Sequence, residues 1–185
     1  SEKAAGIVVG DPLDATTHVG PLCTKAQIEV IKDTLAKAQA QGATIHFGGS
    51  PEDRAGNYML PTLVECSSPQ TATLQVEMFG PVMSLLPFDT EEEAIALANS
   101  TEFGLGSGIF TQNIARAHRV SGRLRSGICW VNTYRAISPM APFGGFNQSG
   151  YGREAGVDAV LDYTRTQTVW INTSDAPMAN PFVMR

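Results

Sequence analysis

"VMSLLPFDTEEEAIALANSTEFGLGSGIFTQNIARAHRVSGRLRSGICWVN", residues 82–132, decides how this chain folds. Three short apolar runs, "VMSLLPF" at 82–88, "GSGIFT" at 106–111 and "GICWVN" at 127–132, alternate with two stretches of helical period. The first of these, "TEEEAIALANS", opens with Thr90 and Glu93 at capping-box spacing. The hydroxyl can accept from the backbone N–H three residues on, and the carboxylate can reach back. The second, "NIARAHRVSGRL", sets Ile114, Ala117, Val120 and Leu124 on one face. A helix between each pair of strands excludes tight hairpins. The pattern is β-α-β-α-β, which predicts an α/β fold with a mainly parallel sheet, right-handed crossovers and helices packed on the sheet.

Towards the N-terminus, residues 24–41 read as an amphipathic helix with Ile28, Ile31, Leu35 and Ala38 inward. Thr24 and Gln27 form a second capping box, and Gly42 stands where helices end. "TIHF" at 44–47 is a short strand and "GGSPEDRAGN" a turn-rich loop. "YMLPTLVE", 58–65, reads as a strand near a sheet edge, because Pro61 cannot donate to a ladder. Towards the C-terminus, a long Gly/Pro-rich loop from Thr133 to Gly152 precedes a short helix at 156–163. A last strand, "TQTVWIN", is expected at 166–172, followed by an extended tail.

The chain has 185 residues, 43% hydrophobic and 17% charged, enough for one domain with a sizeable core. The net charge of −5 and the lack of any Lys/Arg-rich block give no footing for nucleic acid or an anionic membrane. No apolar run reaches the length of a membrane span. Cys23, Cys66 and Cys129 are odd in number and far apart, which predicts reduced thiols and a cytoplasmic setting. The opening "SEKAAGIVVGDPLD" lacks methionine and reads as the end of an element already under way. That is compatible with a fragment, a processed chain or a cloning remnant.

In a parallel sheet, ligands bind at the rim formed by the strand C-terminal ends. Asn132 ends a strand there, and the loop after it runs into "PFGGFNQSGYGRE", with Gly144, Gly145, Gly150 and Gly152. Such glycines let backbone approach a ligand, or pack a tight loop that holds none. "GLGSG" at 104–108 precedes a strand instead of following one, so it is no dinucleotide fingerprint. His18, His46 and His118 lack metal-ligand spacing and no Cys-x-x-Cys occurs, so no metal site is expected. The cysteines read as structural. Cys129 is mid-strand and Cys66 ends a strand; Cys23 alone sits near a helix start, where a thiol pKa falls. Glu77 stands on a Gly-Pro turn in "EMFGPV". A loop glutamate there is either solvated surface or an acceptor for two adjacent hydroxyls, as on a ribose. In the second case Phe79 offers an aromatic wall and Gly80 lets a ring come close.

"VGDPLD", "GPL", "EMFGPV", "FGLGSGIFT", "WVN", "PFGGFNQSGYGRE" and "YTRTQTVWIN" resemble, in order and spacing, the NAD(P)-dependent aldehyde dehydrogenases, from about Gly6 to Asn172. The resemblance is to the C-terminal part of the catalytic domain. It implies an oxidoreductase that converts an aldehyde to a carboxylic acid through a cysteine thioester. By resemblance, Glu77 holds the nicotinamide-ribose hydroxyls of NAD or NADP and Phe79 lies near the nicotinamide. Thr133, Tyr134, Arg135, Ala136 and Ile137 line the substrate entrance, Phe143 lies close to the active site, and Thr166 to Ile171 join an intersubunit sheet. The expected division is a partial catalytic domain at 1–165, an oligomerisation strand at 166–173 and an extended tail at 174–185.

The family's nucleophilic cysteine, general-base glutamate, oxyanion-hole asparagine and dinucleotide-binding domain have no counterpart in these residues. No catalytic residue is therefore assigned, and the chain alone is expected to be inactive, with weak or no cofactor binding. The partners expected are an aldehyde, in a full-length enzyme, and further copies of the chain, without nucleic acid or membrane. The rival expectation is a naturally truncated, non-catalytic relative acting through self- or hetero-assembly.

Overall fold

The computed structural model describes residues 2–183. Ser1, at the start of the expected catalytic part, and residues 184 and 185, at the end of the expected tail, lie outside the described residues. In chain order the elements are α1 (Glu2–Ala5), α2 (Lys25–Ala40), β1 (Thr44–Phe47), β2 (Thr62–Glu65), α3 (Ala72–Gln75), β3 (Val82–Leu85), α4 (Glu91–Ala98), β4 (Gly106–Ile109), α5 (Ile114–Ser121), β5 (Ile128–Val131) and α6 (Ala159–Asp162), with a 3-10 turn at Asn147–Ser149.

Helix α2 follows its sequence closely. Thr24 Oγ1 accepts from Gln27 N–H, and the Gln27 side chain accepts from Thr24 N–H, so two orphan donors of the first turn are met. The far end closes on Gly42 at φ +89, with Ala43 N–H donating to the Ala38 carbonyl and Gly42 N–H to that of Gln39. Ile28, Ile31, Leu35 and Ala38 are all buried. With Met59, Val64, Cys66 and Met78 the last three build the main core. Burying one such aliphatic side chain is worth about 1.5–3 kcal/mol.

Under that core lies a three-stranded sheet in the order β1-β2-β3, β1 antiparallel to β2 and β2 parallel to β3. The edge position expected for 58–65 is corrected: β2 is the central strand. Pro61 precedes the ladder, whose first bond is Thr62 N–H to the Pro81 carbonyl at 2.8 Å, so the missing proline donor costs nothing.

The β3-α4-β4-α5-β5 order and the parallel pairing predicted from 82–132 are both present. The pairing is in two parts, however. Strands β4 and β5 form a separate parallel pair, and among the described residues no ladder joins β3 to β4. Thr90 caps α4 through Glu93 N–H, while the Glu93 carboxylate reaches the N–H of Asp89 instead of Thr90. Helices α4 and α5 are joined by ions. Glu91 takes Arg119 at 2.6 Å and Arg116 at 3.1 Å, and Glu92 takes Arg123 at 2.5 Å. The two guanidinium groups beside Glu91 hold its carboxyl down to about 2, against an ordinary 4.5. Of the four residues expected inward over 113–124, only Ala117 is buried; Ile114 is 72% exposed, and Leu124 lies past the end of α5.

The helix expected at 156–163 contracts to α6, and the strand expected at 166–172 is not formed: 164–172 has no regular structure and no strand partner among the described residues. No helix is long and apolar enough to cross a membrane among the described residues.

Candidate functional site

The turn at 77–80 is fixed from below. Met78 is buried in the main core, and a Cβ on Gly80 would strike the Ile31 side chain. Gly80 therefore serves a close approach to α2, which corrects the expectation that its open side admits a ring. With Met78 pulled inward, Glu77 and Phe79 on either side of it point out. Glu77 is exposed and makes no side-chain hydrogen bond among the described residues. Phe79 is 72% exposed at φ +50, a left-handed conformation that a bulky residue adopts only where its surroundings compel it. A free carboxylate with two acceptor oxygens beside an open aromatic face suits a vicinal diol attached to a flat ring.

At the C-terminal end of β5 the long loop begins with a clamp. Asn132, at φ +54, accepts from Thr111 N–H through Oδ1 and donates to the Thr111 carbonyl through Nδ2, each at 2.8 Å. Its own N–H donates to the Ile109 carbonyl, so the ends of β4 and β5 are tied together. Trp130 then folds the loop back. Its Nε1–H donates to the Ala136 carbonyl at 2.8 Å, and its ring meets Tyr134 edge-on at 5.6 Å between centroids. Between those two contacts Arg135 sits at φ +58. Thr133 to Ile137 are all exposed. Trp130 was missed in the sequence, where it reads as an interior strand residue. The signal was its indole N–H, a donor that must find an acceptor.

Phe143 is half-buried and pairs with Glu154 through two backbone hydrogen bonds of 2.6 and 2.7 Å. The neighbouring glycines are packing devices. A Cβ on Gly127 would meet the Gly144 carbonyl, and one on Gly144 would meet that of Gly152. Arg153 ties the loop by donating to the Gly145 carbonyl at 2.7 Å, its guanidinium lying over Phe146 at 5.2 Å. Of the two readings left open for this loop, tight packing holds at Gly144 and Gly145, whereas a Cβ on Gly150 or Gly152 would find open space.

No hydrogen bond or ring contact links 77–79 to 133–137 among the described residues. The turn precedes β3 and the loop follows β5, so the two groups of expected site residues stay on separate parts of the chain. Cys66 is buried with Sγ 3.4 Å from the Thr73 hydroxyl, Cys129 is half-buried and Cys23 exposed, all free. No group of three or more His, Cys, Asp or Glu that could hold a metal gathers among the described residues.

The model of the aldehyde dehydrogenase family matches residues 1–169. Among curated proteins, the chain is 50% identical over its full length to (Z)-2-((N-methylformamido)methylene)-5-hydroxybutyrolactone dehydrogenase of Acinetobacter baylyi, of which it covers 38%. It is 44% identical over 96% of its length to betaine aldehyde dehydrogenase of Cereibacter sphaeroides, covering 37% of that protein. Two solved structures in complex with NAD+ superpose with a TM-score of 0.86. Betaine aldehyde dehydrogenase from Staphylococcus aureus is 34% identical over 99% of this chain and 37% of its own. Aldehyde dehydrogenase from Bacillus cereus is 36% identical over 94% and 35%. The chain thus spans under two fifths of the length of these relatives.

Proposed function

Since the chain belongs to the aldehyde dehydrogenase family, we propose that it supplies the C-terminal part of the catalytic domain of an enzyme that oxidises an aldehyde to a carboxylic acid with NAD or NADP. The observation that carries this reading is the turn at 77–80, where the core pins Met78 and Gly80 and leaves Glu77 and Phe79 free. Glu77 accepts the two ribose hydroxyls, and Phe79 limits where the nicotinamide ring lies. The cofactor, when bound, supplies a hydride acceptor. The chain's own residues orient that acceptor and shape the aldehyde's path. Thr133 to Ile137 form the entrance wall, held by Trp130, and Phe143 stands behind it. Residues 1–165 form the catalytic part, 166–173 a pairing strand and 174–185 a tail. Three free cysteines support a cytoplasmic protein.

The test is a full-length subunit in which this chain replaces the matched span of the Acinetobacter baylyi relative. Aldehyde-dependent reduction of NAD or NADP is expected from it, and none from the 185-residue chain alone. In the chimera, Glu77→Gln should slow hydride transfer by about tenfold or more, since one charge-assisted acceptor pair is lost. An inactive chimera, or an unchanged transfer rate in the variant, would count against the reading.

The exposed segment Thr166 to Ile171, with Val169 at 66% and Trp170 at 92%, pairs with another copy of the chain. A dimer or larger oligomer is expected in sedimentation, and Val169→Pro should dissociate it by removing a ladder donor. A monomer in the unsubstituted chain excludes this pairing.

A further inference from the structure

The loops at the C-terminal ends of β4 and β5 carry a single formal charge. Both strands run the same way, so 110–113 after β4 and 132–152 after β5 open on one rim, tied to each other by the Asn132 side chain. "FTQN" at 110–113 has no charged group, and in 132–152 the only charged residue is Arg135. Elsewhere Arg54, Arg116, Arg119 and Arg123 are paired with glutamates, and Arg153 donates to loop carbonyls. Arg135 is exposed, with no ion pair and no side-chain hydrogen bond among the described residues. Arg125 and Arg165 are likewise unpaired, but one precedes β5, at the opposite rim, and the other follows α6. Glu154, the nearest acid along the chain, is bound by its backbone to Phe143 and forms no ion pair with Arg135.

The backbone under Arg135 is strained. Its φ of +58 is a conformation that glycine takes freely and a long side chain does not. Two contacts from Trp130 hold it there, the ring against Tyr134 on one side and the indole N–H to the Ala136 carbonyl on the other. Strain of this kind collects where a side chain has to be presented to something. The neighbours of Arg135 are apolar and open to solvent, Tyr134 at 71% and Ile137 at 64%. An unpaired guanidinium among them offers two parallel N–H donors, the geometry that a carboxylate matches.

We propose that Arg135 reads a carboxylate at the far end of the aldehyde, so that the preferred substrate class is an ω-oxo acid. The guanidinium binds that carboxylate through two hydrogen bonds, while Tyr134 and Ile137 cover the methylenes between the two ends. The net charge of the chain is −5, which disfavours an anionic substrate; Arg135 reverses the sign locally at the rim. It touches only the remote end of the substrate and takes no part in the oxidation. The proposal rests on the functional reading given above, in which 133–137 line the aldehyde's path.

The test uses the chimeric subunit described above. There kcat/KM is measured for glutarate semialdehyde and for pentanal, which match in length and differ in the end carboxylate. The unsubstituted subunit should favour the charged aldehyde. Arg135→Gln should cut that preference by about tenfold or more, chiefly through KM for glutarate semialdehyde. Arg135→Gly, which relieves the strained turn, should cut it equally, whereas Arg135→Lys should keep part of it, because the charge and not the turn is read. Added salt should narrow the preference in the unsubstituted subunit and leave it unmoved in Arg135→Gln. Equal losses on both aldehydes would make the loop structural. A changed KM for NAD or NADP with an unchanged preference would give the guanidinium to a cofactor phosphate. Either result, or an active subunit indifferent to the end group, overturns the proposal and leaves the enzymatic reading standing. If the subunit oxidises no aldehyde, calorimetric binding of glutarate decides. Binding that is lost in Arg135→Gln upholds the carboxylate site and sinks the enzymatic reading. Binding that is absent, or indifferent to the substitution, sinks the carboxylate site as well.

Discussion

Two halves of this molecule are built on different physical terms. The first, from α2 to β3, has a core of its own: Ile31, Leu35, Ala38, Met59, Val64, Cys66 and Met78 are buried together, and Ile31, Ala38 and Val64 are wholly so. The second, from α4 onward, buries only Ile95 and Ala117 among its described hydrophobic residues. It is held by an ionic lattice between α4 and α5, by the Asn132 clamp and by stacked glycine backbone. Phe110, Tyr151, Val160, Leu161 and Trp170 all stand exposed on it. The contrast teaches where the two candidate site segments draw their order from. The Glu77–Phe79 turn inherits rigidity from a dry core, whereas the 133–137 loop depends on a few polar contacts.

The sharpest way to break the comparison is a pair of truncations. Ile31→Ala should destabilise the first half by about 2–5 kcal/mol, because a fully buried side chain leaves a cavity. Ile114→Ala, on an exposed site of α5, should change stability by at most about 0.5 kcal/mol. Urea unfolding of both variants reads the difference. Equal losses would mean that the second half has a core of its own.

A smaller effect is expected at Trp130. Trp130→Phe keeps a ring against Tyr134 and removes the donor to Ala136, which should loosen 133–137 by about 0.5–1.5 kcal/mol of local opening. Amide exchange at 135–138 should quicken while 77–80 stays as it was. Faster exchange at both segments would show that the two halves are coupled.

The smallest effect is electrostatic and confined to the second half. The Glu91 carboxyl has its folded-state pKa depressed, chiefly by the hydrogen bond from Arg119, so its contribution is present in full above 4.5 and is lost as pH falls towards about 2. Glu92, hydrogen-bonded to Arg123, is shifted in the same direction. Acid should therefore loosen the α4–α5 pair in that window, and Glu91→Gln should flatten the response. These are surface ions, so salt should shrink the effect. A pH response that survives the substitution unchanged would place its origin elsewhere.

Local chemistry was legible wherever one element could satisfy itself. The Thr24–Gln27 box, the Gly42 stop and the inward face Ile28, Ile31, Leu35 and Ala38 are properties of a single helix, and periodicity with capping was enough to read them. The alternation of strands and helices over 82–132 likewise carried the α/β class and the parallel pairing. The motif set gave the family, because many short patterns in register constrain a chain more than any one of them does.

What tertiary structure decided are matters of neighbours, which no local pattern contains. Pro61 looked like an edge marker, yet β2 is central because the ladder starts one residue later. Gly80 looked open to a ligand, yet its bare side faces Ile31 on a helix some fifty residues earlier in the chain. Ile114 has the spacing of a core residue and remains 72% exposed, since an apolar face is buried only if something lies against it. A sequence fixes which groups are apolar and which can bond to near neighbours; the distances that turn those tendencies into a core, a free edge or an exposed carboxylate are set only when remote segments meet.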